Sequence, residues 1–339
     1  MKILVSGGLG YIGSHTVVEL QNEGYEVVVI DNLSNSSIDV LQGITAITGK
    51  EPLFEKLDLR DKTAVASFFG KHEDIEGIIH FAAFKAVGES VEQPLAYYEN
   101  NIGTLVYLLQ HILTKDTPSF IFSSSCTVYG QAAQMPITEH APVQEAMSPY
   151  GNTKQIGEEI IKDVCLVNSH FKAISLRYFN PIGAHPSGLI GELPLGVPQN
   201  LVPYITQTAA GIRKELSVFG DDYPTEDGTC IRDYIHVVDL AKAHVVALQR
   251  LLEGANTANY EVFNVGTGKG SSVLEVVNAF EKATGVKLNY KIVERRPGDV
   301  TRAFADTTKV SRELGWEAQF SLEEALESAW KWEKKIRNL

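Results

Sequence analysis

Residues 2–13 read KILVSGGLGYIG, a short apolar segment followed at once by glycines in the spacing G-x-x-G-x-x-G. The Val, Ile and Leu content of Lys2–Ser6 is typical of a strand buried on both faces, and the residues after the glycines predict a helix. Glycines let the backbone turn tightly and approach a pyrophosphate, while the helix N-terminus offers free N–H groups. This arrangement predicts a dinucleotide-binding loop. The residues predicted to line it are Gly7, Gly10, Tyr11, Ile12 and Gly13.

Strand-like and helix-like segments alternate through the first half of the chain. The predicted strands are Lys2–Ser6, Tyr25–Ile30, Leu53–Leu57, Ile75–Phe81 and Ser119–Ser123, with later ones at Ala173–Tyr178 and Glu261–Val265. The predicted helices are His15–Glu23, Ser37–Thr48, Lys62–Lys71 and Leu95–Leu113. This alternation implies a parallel sheet with right-handed crossovers. We therefore predict an α/β fold, a doubly wound (Rossmann) parallel sheet with a smaller C-terminal α/β substrate lobe.

A chain of 339 residues exceeds what one hydrophobic core usually sustains, so two lobes are expected. Residues 181–233 are rich in Gly and Pro and lack long apolar runs, which indicates a lobe of a different kind. We assign residues 1–180 to the dinucleotide-binding domain and expect 233–265 to return to it. Residues 181–232 and 266–339 are assigned mainly to the substrate-binding lobe.

Composition narrows the class of protein. The net charge is −12, which disfavours nucleic-acid binding because such proteins carry a basic surface. No apolar run approaches the ~18 residues of a membrane span, and the first residues form too short an apolar segment for a signal peptide. The three cysteines, Cys126, Cys165 and Cys230, are far apart, so we expect reduced thiols and a cytoplasmic protein. No Cys or His spacing indicates a metal site.

The second predicted strand is followed by Asp31, whose carboxylate can accept hydrogen bonds from ribose hydroxyls and would repel a 2′-phosphate. The next residues, Asn32–Ser36, contain no arginine that could offset this repulsion. The cofactor is therefore predicted to be NAD rather than NADP. Asp58, at the end of the third strand, is expected to reach the adenine.

A second group of residues indicates proton transfer. Tyr150 and Lys154 are four residues apart after Pro149, a spacing that puts both side chains on one helix face. A strand that ends in Ser123–Ser125 places hydroxyl groups at the carboxyl edge of the sheet, where ligands bind in such folds. A lysine ammonium and a positively charged nicotinamide favour the phenolate of a nearby tyrosine. Tyr150 could then act as a general base, with Ser125 bonding the same substrate oxygen.

These features resemble the extended short-chain dehydrogenase/reductase superfamily, and further motifs resemble the UDP-glucose (UDP-galactose) 4-epimerase family within it. The motifs are FAAFKAVGES (81–90), FSSSCTVYG (122–130), RYFNP (177–181), GAHPSG (183–188), DYPTEDGT (222–229), RDYIHV (232–237) and RPGD (296–299). The resemblance covers essentially the whole chain. It implies an isomerase in which tightly held NAD takes hydride from C4 of a UDP-hexose, leaving a 4-keto sugar, and returns it to the other face. It also implies a homodimer.

The resemblance also implies roles for individual residues. The implied catalytic residues are Ser125, Tyr150 and Lys154. The implied NAD-binding residues are Gly7, Gly10, Tyr11, Ile12, Gly13, Asp31, Asn32, Asn35, Ser36, Asp58, Leu59, Phe81, Ala82, Ala83, Lys85, Asn100, Ser123, Tyr150, Lys154 and Tyr178. The implied residues for the UDP-sugar are Lys85, Ser125, Tyr150, Phe179, Asn180, Asn200, Leu201, Phe219, Arg232, Tyr234, Arg296, Asp299 and Ala303.

The chain departs from the family pattern at two places. The run Asn100-Asn101-Ile102-Gly103-Thr104 is one residue shorter than the usual Asn-Asn-x-x-Gly-Thr, which would turn a helix face by ~100°. Ala303 stands where family members restricted to plain hexoses carry a bulky tyrosine. A small residue there leaves room beside C2 of the sugar, so we expect UDP-N-acetylglucosamine and UDP-N-acetylgalactosamine to be interconverted as well.

Other functions remain open at this point. A nucleotide-sugar 4,6-dehydratase would share the loop and the Tyr-Lys pair, but it carries an Asp-Glu pair after the Thr at the end of this strand. Here the positions read Ser125-Cys126-Thr127, so dehydration is disfavoured. A UDP-glucuronate 4-epimerase, another NAD-dependent nucleotide-sugar enzyme, and a non-catalytic NAD-binding scaffold are the alternatives.

Overall fold

The structure is a computed structural model that describes residues 1–114, 119–296 and 299–339. The strands are β1 Lys2–Ser6, β2 Glu26–Asp31, β3 Leu53–Lys56, β4 Ile75–His80, β5 Ser119–Ser123, β6 Lys172–Tyr178, β7 Asn180–Ile182, β8 Leu216–Phe219, β9 Ile231–Arg232, β10 Tyr234–His236, β11 Tyr260–Val265, β12 Ser271–Ser272, β13 Tyr290–Val293 and β14 Arg302–Ala303. The helices are α1 Tyr11–Asn22, α2 Val40–Thr48, α3 Lys62–Lys71, α4 Val87–Glu92, α5 Pro94–Tyr98, α6 Thr104–Ile112, α7 Pro149–Val167, α8 Leu201–Ala209, α9 Val237–Leu252, α10 Val273–Thr284, α11 Thr308–Leu314 and α12 Leu322–Arg337.

The main sheet has seven strands in the order β11-β6-β5-β4-β1-β2-β3. Every pairing from β3 across to β6 is parallel, as buried runs such as VVVI in β2 predict. The chain builds outward from β1 to β3 and then returns to place β4 on the other side of β1. This reversal is the switch point of a doubly wound sheet, where ligands bind beyond the carboxyl ends of the strands. The predicted fold class is confirmed.

Two compact units make up the chain. The first unit contains residues 1–130, 142–178 and 241–263, and the second contains 131–141, 179–240 and 264–339. The sequence-based ranges assign 131–141, 179–180, 233–240 and 264–265 to the first domain, whereas these residues lie in the second unit. Backbone pairing explains the difference at 131–141, because Ile137 donates its N–H to the Phe304 carbonyl at 2.9 Å and its own carbonyl accepts from Asp306 at 2.8 Å.

Each unit has its own apolar core. In the first unit, side chains from the sheet pack against α3, α6 and α7, with Phe68 and Phe120 among the largest of those that are fully buried. In the second unit, α8, α10 and α12 pack around Phe280 and Val218. Burial of such side chains stabilises each unit by roughly 1.5–3 kcal/mol per large residue. Within residues 1–114, 119–296 and 299–339, no helix is long and apolar enough to cross a membrane.

The predicted continuous helix over Leu95–Leu113 is interrupted. Between α5 and α6 the backbone makes a wider π-helical turn at Glu99–Gly103. The Asn101 amide at this turn donates to the Phe84 carbonyl and accepts from the Phe84 N–H, at 3.0 and 2.8 Å. Such buried contacts compensate for the poorer helical bonding of a π turn, which is found mostly near functional sites. Hydrophobic periodicity could not predict this turn, because Glu99–Gly103 stay helical and only the hydrogen-bonding pattern changes.

Candidate active site

The glycine loop after β1 packs closely against neighbouring backbone atoms. Gly7 has φ +70°, and a Cβ there would lie 2.8 Å from the Ala82 nitrogen. A Cβ on Gly13 would lie only 2.3 Å from the Gly7 carbonyl oxygen, so α1 can approach the loop only with glycine at that position. α1 begins at Tyr11 with Gly10 before it and no side-chain cap, which leaves its first N–H groups available to a phosphate.

Asp31 lies at the carboxyl end of β2 and is buried. One carboxylate oxygen accepts from the Leu9 N–H at 3.1 Å. The other accepts from the Leu33 N–H and the Ser36 hydroxyl, both at 2.9 Å. These bonds fix the carboxylate beside the glycine loop, in the place that a ribose diol requires. The loop and Asp31 therefore fit a dinucleotide such as NAD.

Asp58 has a partner that the sequence analysis missed. Arg60 donates to both of its carboxylate oxygens, at distances between 2.7 and 3.2 Å, and Asn32 donates to one of them at 3.2 Å. The Arg60 guanidinium lowers the pKa of Asp58 to about 2. The spacing of only two residues was a signal that could have been used. Arg60 and Asn32 thus fix the orientation of the Asp58 carboxylate.

Other residues predicted to bind NAD lie on the segments that follow β4 and in α5–α6. The Lys85 ammonium lies 5.8 Å from the centre of the Tyr11 ring. Asn100 is buried, and its side-chain amide donates to the side-chain amide oxygen of Asn101 at 3.0 Å. Asn101, which we did not predict as a functional residue, also donates to the Thr153 hydroxyl at 3.0 Å. It therefore links the π-helical turn to α7.

The start of α7 places Tyr150 and Lys154. Ser148 accepts from the Gly151 N–H at 3.1 Å as a helix cap, and Pro149 occupies the first turn. The Lys154 ammonium donates to the carbonyl oxygen of Ser123 at 2.8 Å, so it reaches the end of β5. It lies 5.9 Å from the centre of the Tyr150 ring. The predicted helix face and strand end therefore come together in the first unit.

Ser125 completes this group, and all its members are buried. The Ser125 hydroxyl accepts from the Thr127 N–H at 3.2 Å and is hydrogen-bonded to Tyr150. Burial raises the pKa of Tyr150 well above its ordinary value, and the bond to Ser125 opposes that rise. Burial lowers the pKa of Lys154 to about 8. Both shifts disfavour the charged forms, which is the effect of a low-dielectric site on titratable groups.

Tyr178 is joined to the same strand end. The Ser123 hydroxyl donates to the Tyr178 hydroxyl oxygen at 3.0 Å, and burial raises the pKa of Tyr178 to about 12.

A second buried group consists of Ser124, Glu158 and Arg177. The Glu158 carboxylate accepts from the Ser124 hydroxyl at 2.5 Å and from the Arg177 guanidinium at 2.5–3.2 Å. Sequence reasoning missed Glu158, although its position four residues after Lys154 was a usable signal.

In the second unit, several residues predicted to hold UDP bond to protein groups. The Arg232 guanidinium donates to the Asp299 carboxylate, forming an ion pair between two predicted ligands of UDP. The Arg296 guanidinium stacks on Phe219 at 3.9 Å from the ring centre. Asn200 donates to Glu192 at 2.8 Å. The first two pairs bring predicted residues together from distant parts of the sequence.

Ala303 is opposite Arg232 where β14 pairs in parallel with β9. Neighbouring strands are about 4.8 Å apart, so Ala303 and the base of Arg232 are close. Tyr234 and Phe179 are buried, whereas Asn180 is exposed at the start of β7.

The remaining predicted residues take these places. Asn35, Ser36 and Leu59 follow β2 and β3, Phe81, Ala82 and Ala83 follow β4, and Leu201 begins α8. The motif RPGD includes Pro297 and Gly298, which lie outside the described residues. Among the residues that the structure describes, no cluster of His, Cys, Asp or Glu could hold a metal ion.

Comparisons with known proteins agree with this geometry. The chain matches the sequence model of the GDP-mannose 4,6 dehydratase family over residues 4–329. It is 53% identical over 338 residues to UDP-glucose 4-epimerase of Bacillus subtilis, covering 100% of this chain and 98% of that one. A crystal structure of UDP-glucose-4-epimerase from Stenotrophomonas maltophila, with bound NAD and formylated UDP-arabinopyranose, superposes with a TM-score of 0.96 at 47% identity, covering 100% and 99% of the two chains. The epimerase from Bifidobacterium longum, in complex with NAD+ and UDP, gives 0.94 at 45% identity, with the same coverage.

The fold, the loop and the buried Tyr-Lys pair define an extended short-chain dehydrogenase/reductase built to act on a nucleotide sugar. The matched family model describes this wider class, which includes dehydratases. Full-length identity of about half then narrows the class, and the chain belongs to the UDP-glucose 4-epimerase family.

Proposed function

We propose that this protein interconverts UDP-glucose and UDP-galactose, using tightly bound NAD and Tyr150 as the group that takes and returns the O4 proton. The observation that carries the proposal is the Lys154 ammonium, bonded to Ser123 and lying beside the Tyr150 ring. This geometry supports proton transfer, because a scaffold that only binds NAD would not need Ser125, Tyr150 and Lys154 together. The relatives named above are epimerases, which favours the same activity.

NAD, held by the glycine loop and Asp31, would supply a reversible hydride acceptor for C4 of the sugar. The chain's own residues supply the rest. Ser125 holds O4 through its hydroxyl, and Tyr150 accepts the O4 proton. Lys154 stabilises the developing phenolate, because a cation within about 6 Å in a buried site lowers the free energy of that charge. The low exposure of all three excludes water, so the oxidised sugar is protected from side reactions.

The proposal assigns the UDP part to residues of the second unit. Arg232 and Arg296 are the donors for the diphosphate, since a guanidinium matches phosphate oxygens in geometry and charge. Phe219 and Asn200 are assigned to the nucleoside. Asp299 is assigned to the ribose hydroxyls or to positioning Arg232. These roles rest on the resemblance and on the proximity of Arg232 to Asp299 and of Arg296 to Phe219.

A further part of the proposal concerns the size of the sugar. Ala303 pairs with Arg232 across two strands, so its small side chain lies near a predicted diphosphate ligand. We expect the enzyme to accept an N-acetyl group at C2 as well as a hydroxyl. Ala303→Tyr should lower the ratio of kcat/KM for UDP-N-acetylgalactosamine to that for UDP-galactose by about fivefold or more, since one steric clash costs at least ~1 kcal/mol. Ala303→Ser is the matched control, and an unchanged ratio in Ala303→Tyr would refute the role.

The test of the activity uses the purified protein without added NAD. UDP-galactose, UDP-N-acetylgalactosamine and UDP-glucuronate are incubated with it separately, and chromatography resolves the products. Conversion of UDP-galactose to UDP-glucose supports the proposal. Conversion of UDP-glucuronate alone would replace it with the runner-up activity. Protein that retains NAD through gel filtration and converts nothing would be a scaffold, and a requirement for stoichiometric NAD would indicate a net oxidoreductase.

The proposal includes a homodimer and a reducing, cytoplasmic setting. All three cysteines are free thiols, which is consistent with such a compartment. Sedimentation equilibrium of the holoenzyme would test the dimer, and a mass equal to one chain would reject it.

A further inference from the structure

We propose that Glu158 is a positioning residue of the active site, which keeps the Lys154 ammonium charged beside Tyr150 and holds the end of β5 in register. This inference rests on the proposed function. Its basis is a group of buried side chains that bind neither the predicted cofactor nor the predicted sugar. The group is Ser124, Glu158 and Arg177.

The first step in the argument is placement on α7. Lys154 and Glu158 are four residues apart, so they are neighbours on one helix face. Both side chains are buried, at 5% and 7% exposure, and water therefore does little to screen the attraction between them. An isolated carboxylate in such a place would be costly, so Glu158 requires partners of its own.

The second step is that the carboxylate is fixed at both oxygens. Arg177 on β6 donates to both oxygens, at 3.0 Å to one and 2.5 Å to the other. Ser124 donates to the first of them at 2.5 Å. The Arg177 guanidinium is itself stacked over the Tyr129 ring at 4.8 Å. These bonds fix the orientation of the Glu158 carboxylate, which contacts Ser124 after β5 and Arg177 on β6.

The third step is the arrangement of three consecutive serines at the end of β5. The Ser123 carbonyl accepts from Lys154, the Ser124 hydroxyl donates to Glu158, and the Ser125 hydroxyl bonds to Tyr150. Each serine thus connects the strand end to a different residue of α7. β5 ends at Ser123, so these contacts attach the end of the strand and the two residues after it to α7.

Among the charged and titratable groups around Lys154, Glu158 is the anion that stabilises its ammonium. On α7 these are Tyr150 and Glu158. The neighbouring strands contribute Arg177 and Tyr178 from β6 and His80 from β4, and Cys126 follows β5. His80 is buried with its pKa lowered to about 3, so it adds no positive charge at neutral pH. Burial lowers the pKa of Lys154, and the Glu158 charge acts against that effect.

The experiment measures the protonation of Lys154 directly. Holoenzyme labelled with 13C at lysine Cε is titrated by NMR, and the Lys154 signal is assigned by its absence in Lys154→Met. Glu158→Gln keeps the shape and removes the charge, so the pKa of Lys154 should fall by about 1 unit or more. Ser124→Ala removes one hydrogen bond and keeps the charge, so it should leave that pKa within a few tenths of a unit.

A kinetic measurement accompanies the titration. Glu158→Gln should lower kcat for UDP-galactose by about fivefold at pH 8 with little change in KM, because the charged fraction of Lys154 falls and Lys154 acts on proton transfer and not on UDP binding. If Glu158→Gln fails to fold, Glu158→Met/Arg177→Met replaces the pair with apolar groups, which buried ion pairs often tolerate. The Lys154 pKa should fall in that variant too.

An unchanged Lys154 pKa in the folded variant would overturn the inference. This result is distinct from failure of the proposed function, because the titration requires no turnover. Wild-type protein that converts no UDP-hexose would instead reject the proposed function while the NMR result stands.

Discussion

The two units prepare their predicted ligand-binding residues in opposite ways. In the first unit, Lys154 is bonded to a backbone carbonyl, and Tyr150 and Ser125 are bonded to each other, all of them buried. In the second unit, the predicted diphosphate ligand Arg232 is bonded to another predicted ligand, Asp299. Proton transfer requires geometry that is set in advance, since small displacements slow it greatly. Nucleotide binding would tolerate an exchange of partners, in which phosphate oxygens replace the Asp299 carboxylate as acceptors from Arg232.

Of the predicted effects on activity, the largest should come from removal of the Tyr150 hydroxyl in the first unit. Tyr150→Phe should lower kcat for UDP-galactose by about 10²–10⁴-fold, the usual contribution of a general acid or base, and NAD should remain bound. Tyr260→Phe is the matched control, because Tyr260 is partly buried and bonded to a serine hydroxyl, at 2.9 Å. Steady-state kinetics and the absorbance of retained NAD provide the two readouts. Equal losses in the two variants would show that Tyr150 matters only for packing.

The next largest effect should come from Arg232. Arg232→Met should raise KM for UDP-galactose by about 10–100-fold, which corresponds to a lost charge-assisted hydrogen bond of ~1.5–3 kcal/mol. The effect on kcat should be much smaller, since proton transfer occurs in the first unit's residues. Arg302→Met is the control, because Arg302 is exposed and donates to a backbone carbonyl at 3.0 Å. A fall in kcat without a change in KM would contradict the division of roles.

A smaller effect is expected at the glycine loop. Gly13→Ala places a methyl group where only 2.3 Å separates it from the Gly7 carbonyl, so α1 must move away from the loop. The fraction of NAD retained through gel filtration should fall by about tenfold, since a shift of the helix N-terminus costs roughly 1.4 kcal/mol of phosphate binding. Gly70→Ala, on α3 with open space around it, should retain NAD as the wild type does. Full retention in Gly13→Ala would disprove the close approach.

The smallest effect concerns stability in acid. His80 is buried beside Ser6 at 2.7 Å, and burial, with a contribution from Lys154, lowers its pKa to about 3. The unfolded chain binds a proton there below about pH 6.5 and the folded chain does not, so stability should fall as pH decreases from about 6.5 towards 3. His80→Asn should reduce the slope of unfolding free energy against pH by about 1.4 kcal/mol per unit near pH 5.

Urea unfolding between pH 4 and pH 7 provides that slope. His170→Asn, at an exposed histidine, is the control and should leave it unchanged. The same slope in wild type and His80→Asn would mean that His80 is protonated in the folded protein.

Local patterns in the sequence predicted much of the fold and part of the site. β1, β5 and α3 have the predicted bounds, and other strands of the main sheet differ by a residue or so at their ends. Such segments were predictable because apolar runs between Gly, Pro and polar residues reflect burial on both faces of a parallel sheet. The π-helical turn at Glu99–Gly103 was missed, because it depends on the contacts of Asn101 with distant backbone and not on periodicity.

The roles predicted for individual residues have a different basis. The glycine loop, Asp31 and the Tyr150–Lys154 spacing are short-range signals, and each indicates chemistry without knowledge of the rest of the chain. The residues assigned to NAD and UDP follow from the family resemblance and stay predictions. The structure adds which of these side chains meet, such as Arg232 with Asp299 and Arg296 with Phe219.

The order of apolar and polar residues along the chain was enough to specify the strand–helix alternation, the dinucleotide loop and the helix face that carries Tyr150 and Lys154. These features depend on neighbours within a few residues, where backbone geometry is nearly fixed. The partners of Lys154 and Glu158 depend on how strands are ordered in the sheet and how helices pack on it. Arg177 reaches Glu158 because β5 and β6 are adjacent and α7 packs nearby. Such contacts join residues far apart in sequence, and only the folded chain brings them within hydrogen-bonding distance.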